Sequence, residues 1–101
     1  MSKVIIHLGT RLILRELFFK DDTEKMALIR QELPYYTVGG TFETPLEGEE
    51  AAEEAFDLTN NPSRQEEREE KYGNGRSVSS GDVIEVDGVK FACMSIGWEK
   101  L

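Results

Sequence analysis

The stretch Asp82-Val83-Ile84-Glu85-Val86-Asp87-Gly88-Val89-Lys90-Phe91-Ala92-Cys93 decides the fold class. Two runs rich in β-branched and aromatic residues flank Asp87-Gly88. That dipeptide suits a two-residue hairpin turn, whose central positions need positive φ. Such a turn sets Val86 opposite Val89, Glu85 opposite Lys90 and Ile84 opposite Phe91. The apolar pairs then share one face, and the two opposite charges meet across the strands. Turn chemistry, apolar alternation and charge pairing agree on one register.

Working towards the N-terminus, Gly75-Arg76-Ser77-Val78-Ser79-Ser80-Gly81-Asp82 is a polar lead-in to the hairpin. Short hydroxyl and carboxylate side chains of this kind bond nearby backbone and set turns. Ser63-Arg64-Gln65-Glu66 has a capping-box pattern, Glu67 and Lys71 are four apart, and Gly73 is placed as a C-cap. Almost every residue there is polar, so residues 60–75 are either a short exposed helix or a mobile polar connector. Thr44-Pro45-Leu46-Glu47 reads as a helix start, with Thr as N-cap, Pro first and Glu third. Leu46, Ala52, Ala55, Phe56 and Leu58 give that helix a narrow apolar face, and Asn60-Asn61-Pro62 stops it.

Residues 35–42 (YYTVGGTF) read as a strand bent at Gly39-Gly40, or as a small hairpin. Asp21 and Glu24 form a capping box for a helix over 22–32. Its apolar positions are Met26, Ile29 and Leu33, and Pro34 ends it. Residues 3–8 and 10–19 lean towards a strand pair turned at Gly9-Thr10. Leucine, arginine and glutamate in the second run also suit a helix. The sum is one α+β domain over residues 1–101: a small, mainly antiparallel sheet, two to three helices and a C-terminal β-hairpin.

Charge narrows the partners. Twelve basic residues against twenty acidic ones leave a net −8. Glu47, Glu49, Glu50, Glu53, Glu54 and Asp57 form a run without a basic residue. A phosphate-backbone binder needs the opposite sign, so direct nucleic-acid binding is not expected. Basic partners remain open, as do the nucleic-acid grooves of other proteins. The longest apolar runs, such as Val4 to Ile6, fall far short of the roughly 20 residues of a membrane span. One Lys precedes Val4 and no apolar leader follows, which reads as a cytoplasmic chain that is not secreted. Oligomeric state is not legible.

Candidate chemistry is sparse. His7 is the single histidine and Cys93 the single cysteine. Cys93 lies in an apolar run, as a buried small hydrophobe would, and Lys90 would face the other side of its strand. One cysteine excludes an internal disulfide and a multi-cysteine zinc site. The acidic run lacks the ordered ligand spacing and turn glycine of a calcium loop and reads as a solvated helical face. Its densest part, Glu49, Glu50, Glu53 and Glu54, is a candidate surface for mimicking DNA phosphates. Ser77, Ser79 and Asp82 have no adjacent base and no nucleophile-elbow motif. Arg76 is the residue to test, since its fork can clamp a carboxylate inside the domain or on a partner. Trp98 is either core or an interface anchor. No catalytic constellation, metal or cofactor is expected.

Residues 76–101, RSVSSGDVIEVDGVKFACMSIGWEKL, resemble the C-terminal signature of the YodL-like families, small proteins or domains of phages, plasmids and other mobile elements. The matching positions are Arg76, Ser77, Ser79, Gly81, Asp82, Val83 and Ile84, then Phe91, then Gly97, Trp98 and Leu101. Ala55-Phe56 through Asn60-Asn61-Pro62 also looks like the helix and spacer of such proteins. The resemblance implies a mobile-element origin and carries no biochemical activity. The expected function is that of a non-enzymatic accessory protein that binds a host or phage protein. The alternative is an acidic DNA-mimic inhibitor of a host nuclease or restriction system.

Overall fold

In the computed structural model, which describes residues 1–101, the chain runs β1 (Ser2–Leu8), α1 (Arg11–Leu17), α2 (Asp22–Glu32), β2 (Thr37–Thr44), α3 (Gly48–Asn60), α4 (Gln65–Lys71), β3 (Val83–Val86), β4 (Val89–Cys93) and β5 (Trp98–Lys100). The strands form one antiparallel sheet in the order β2-β1-β3-β4-β5. The hairpin takes the expected register, Val86 on Val89, Glu85 on Lys90 and Ile84 on Phe91. Asp87 and Gly88 both have positive φ, as the turn requires. Asp87 also accepts from the Lys3 backbone N–H at 2.9 Å, which fastens β1 to the hairpin tip.

The two faces of the sheet are covered unequally. Val4, Ile6, Phe42, Ile84, Val86, Phe91 and Cys93 lie under α3, which contributes Ala51, Ala52, Ala55 and Leu58. Small alanines let the helix approach the strands closely. On the opposite face Val83, Ala92 and Met94 meet Leu17, Met26 and Ile29 from α1 and α2. That second core reaches only one end of the sheet. Further along, the same face carries Lys3, His7, Glu85 and Lys90, none of them buried.

Three local expectations are corrected. The run 10–19 is a helix over Arg11–Leu17, which makes four α-helices where two or three were expected. Thr10 caps it by accepting from the Ile13 N–H at 3.2 Å. Ile13, Leu14 and Leu17 then fall on one side against the second core, a helical spacing that an alternating strand cannot match. Secondly, α3 starts at Gly48, not at Thr44. Thr44 Oγ1 accepts from Leu46 N–H, only two residues on, and Glu47 stays extended, so the first helical turn is delayed. Thirdly, Asn61 and not Ser63 accepts at the turn before α4, from the Ser63 N–H at 3.0 Å. The helix over 22–32 keeps its reciprocal Asp21–Glu24 capping box. Residues 37–44 form one strand, irregular where Ile6 pairs Gly40 and His7 pairs Val38. That leaves Gly39 as the extra residue of a bulge.

Residues 65–71 are helical, and Arg64 explains how a nearly all-polar segment is held. Its guanidinium meets Glu54 and Asp57 of α3 at 2.8 Å and Glu67 of α4 at 2.9 Å. Hydrogen bonds from Arg64 and then Lys71 pull the Glu67 carboxyl down to about 2. A carboxyl lowered on folding stabilises the fold above its unfolded value near 4.5, and that contribution is lost as pH falls towards 2. Glu67→Gln is therefore expected to melt below the wild type at neutral pH, with the gap closing as the pH falls through this range. A gap unchanged in acid would exclude this role for Glu67.

Candidate functional site

The polar lead-in to the hairpin is anchored at both ends. Ser77 Oγ donates to the Thr59 carbonyl at 2.6 Å, and Thr59 Oγ1 accepts from Val78 N–H at 3.1 Å. Asn60 Nδ2 donates to the Val78 carbonyl at 2.9 Å. The C-terminal turn of α3 thus holds residues 77 and 78, and the Val78 side chain drops into the main core. Tyr72, buried beyond the end of α4, donates its hydroxyl to the Arg76 carbonyl.

Asp82 is the centre of the cluster and is 0% exposed. Its Oδ1 accepts from Gly9 N–H at 2.8 Å and from Arg76 Nη2 at 2.9 Å. Its Oδ2 accepts from Ser79 N–H at 2.7 Å and from Arg76 Nη1 at 2.9 Å. A carboxylate offers about four lone-pair sites, and all four are taken. The Arg76 fork also donates to the carbonyls of Gly9 and Ser77. The bond to Asp82 raises the guanidinium's pKa, more than burial lowers it. One ion pair therefore ties the end of β1, the start of β3 and the loop from α4 together.

Gly81 completes the arrangement. Its N–H donates to the Cys93 carbonyl, and its own carbonyl accepts from the Tyr36 hydroxyl at 2.7 Å. Burial, and then the Asp82 charge, push the Tyr36 phenol well above its usual range. Nothing in the cluster is set up as a nucleophile. Ser77 Oγ is spent on a backbone carbonyl, and Ser79 Oγ faces the Arg76 guanidinium at 3.4 Å.

No protein-family model, curated protein or solved structure matches this chain. Function is thus read from geometry.

The remaining candidates are dispersed. His7 Nε2 lies 3.0 Å from Glu85 Oε1, with Lys90 Nζ 3.8 Å from the same oxygen, on the open part of the sheet. Cys93 is buried, and desolvation pushes its thiol up to about 12, so it stays protonated at neutral pH. Trp98 is half-buried against the main core and donates its indole N–H to Glu53 at 2.7 Å. The acidic face is divided. Glu54 is held by Arg64 and Glu53 by Trp98, whereas Glu49 and Glu50 stand exposed in the first turn of α3. No three His, Cys, Asp or Glu side chains gather as metal ligands. No helix is long and apolar enough to cross a membrane.

Sequence reasoning singled out Arg76, Ser77, Ser79, Gly81 and Asp82, and the structure brings all five together. It missed Gly9 and Tyr36. The pairing of His7 with Val83 extends to set Gly9 across from Gly81. That signal exists only once β1 is known to neighbour β3. It also missed the outward-facing aromatics Phe18 and Phe19, which are 77% and 84% exposed and pack edge-to-face at 5.1 Å.

Proposed function

We propose that the chain is a non-enzymatic accessory protein of a phage or other mobile element and acts by binding another protein. The observation that carries this reading is the exposed Phe18–Phe19 pair. Exposing two adjacent phenyl rings is costly in water, and such rings are enriched in protein contacts. The Arg76–Asp82 cluster supports it from the other side, because its hydrogen-bonding capacity is consumed within the fold. The resemblance of residues 76–101 to YodL-like proteins supports the mobile-element part. The second reading, an acidic decoy for a nucleic-acid-binding groove, is favoured by the free Glu49 and Glu50 carboxylates.

The test is capture of cytoplasmic proteins by three forms of the chain: wild type, Phe18→Ser with Phe19→Ser, and Glu49→Gln with Glu50→Gln. A binder held by wild type and lost with the phenylalanine variant at constant melting temperature is the expected result. A nuclease lost only with the glutamate variant, and only at low salt, moves the function to the decoy. If wild type and both variants bring down the same proteins, neither surface carries the function.

A further inference from the structure

The sheet ends differently at its two edges. β5 is three residues long and carries Glu99 and Lys100, a short charged edge of the kind that discourages further pairing. β2, at the other edge, runs for eight residues, with Glu43 as its one charge and no proline. The bulge at Gly39 interrupts it and leaves Gly40–Thr44 in regular register with β1.

The hairpin tip fixes which backbone groups of β2 are free. Asp87 N–H donates to the Lys3 carbonyl at 3.0 Å, and Lys3 N–H donates to Asp87 Oδ1 at 2.9 Å. Lys3 thus turns its backbone groups towards β3. Bonding direction alternates along an antiparallel strand, so Ser2, Val4 and Ile6 turn theirs towards β2. Their partners Thr44, Phe42 and Gly40 are the bonded residues of β2. Thr41 and Glu43, between them, point N–H and C=O away from the sheet, and both residues are exposed. α3 packs on β1, β3 and β4, and Tyr72 lies against Gly39 and Gly40, at the bulge.

We infer that a second copy of this chain pairs with this edge, β2 against β2, antiparallel across a two-fold axis. A row of unpaired N–H and C=O groups is recognised by another extended strand carrying the same row. The regular stretch Gly40–Thr44 is centred on Phe42, which makes it complementary to itself. With Phe42 opposite the partner's Phe42, Thr41 exchanges backbone bonds with the partner's Glu43, and Glu43 with the partner's Thr41. Centring on Thr41 would instead set Glu43 against the bulge of the other copy. In the Phe42 register each Glu43 meets a threonine, and Lys3, its cross-strand neighbour on β1, offsets its charge. The Phe42 side chains take the closely spaced position of the new ladder and bring the two main cores together. The contact is isologous, so it closes at the dimer. It is also short, and its dissociation constant is on the order of 100 μM. Neither Phe18 nor Phe19 takes part, so this inference and capture of a foreign protein can each fail without the other.

Sedimentation velocity and backbone amide exchange, each over a concentration series, test it. Wild type is expected to rise from the 11.5 kDa monomer mass to twice that mass and stop. The Thr41 and Glu43 amides should gain protection in step with the mass, while the Phe42 amide is protected throughout. Thr41→Pro removes an N–H that β1 does not use, so it should melt near the wild type and stay monomeric. Thr41→Glu sets a carboxylate opposite the partner's Glu43 and should also stay monomeric, and adding Glu43→Lys should restore the dimer. Wild type that stays monomeric at every concentration overturns the inference. So does a dimer whose Thr41 and Glu43 amides exchange as in the monomer, or one that survives both Thr41 variants. Monomeric wild type whose Thr41 amide is protected only in the presence of a captured protein overturns it in favour of a foreign strand.

Discussion

Arg76→Ala is expected to lower the melting temperature by at least about 12 °C, from a loss of about 3–5 kcal/mol in a domain of this size. The reason is the asymmetry of the pair. Asp82 is completely buried, while the Arg76 side chain is 40% exposed. Removing the guanidinium strands a carboxylate with only the Gly9 and Ser79 N–H groups to hold its charge. Removing the carboxylate leaves an arginine that can turn to solvent. Asp82→Ala leaves the Gly9 and Ser79 N–H groups without their acceptor and so is also costly, but adding it to Arg76→Ala should cost little more, because the stranded charge goes with it, a strong coupling in a double-mutant cycle. Arg76→Lys should recover only part of the loss, since an ammonium cannot span both carboxylate oxygens. Urea melts of the four variants decide it. An unchanged melt together with lost partner binding would move Arg76 from the interior to the contact surface.

The legible parts of this fold are those whose cause is local. The hairpin needed only Asp87-Gly88 and its neighbours, and the helix at 22–32 needed only Asp21, Glu24 and Pro34. The run 10–19 was harder because Leu12, Ile13 and Leu14 carry no clean period. What makes it helical is a core formed by Val83, Ala92 and Met94, seventy residues away in the chain. The acidic run hides a similar distant cause. Read alone, Glu54 and Asp57 belong to a solvated face. In the fold Arg64 crosses from the following segment and binds both. The cluster around Asp82 was half legible. Arg76 and the serines lie within six residues of it, but Gly9 and Tyr36 reach it only through strand order.

Gly81→Ala is the second large effect expected, a loss of about 2–4 kcal/mol. Gly81 has φ +99°, where an L side chain is strained. A Cβ there would also lie 2.7 Å from Leu14 Cδ2 and from Leu17 Cδ1, both on α1. Gly88 supplies the control, with φ +87° and no atom within 4 Å of its added Cβ. Gly88→Ala therefore reports strain alone, and the excess for Gly81→Ala reports contact with α1. Those leucine atoms are the far ends of flexible side chains, so rotamer changes relieve part of the clash and only the remainder pushes α1 outward. That shift would carry Phe18 and Phe19 with it. A Gly81→Ala excess accompanied by altered binding through the phenylalanines would mean that the Asp82 cluster sets the position of the Phe18–Phe19 pair. Equal losses at Gly81 and Gly88 would mean that α1 yields freely, and the exposed aromatics would then owe their placement to α1 and its own cap at Thr10.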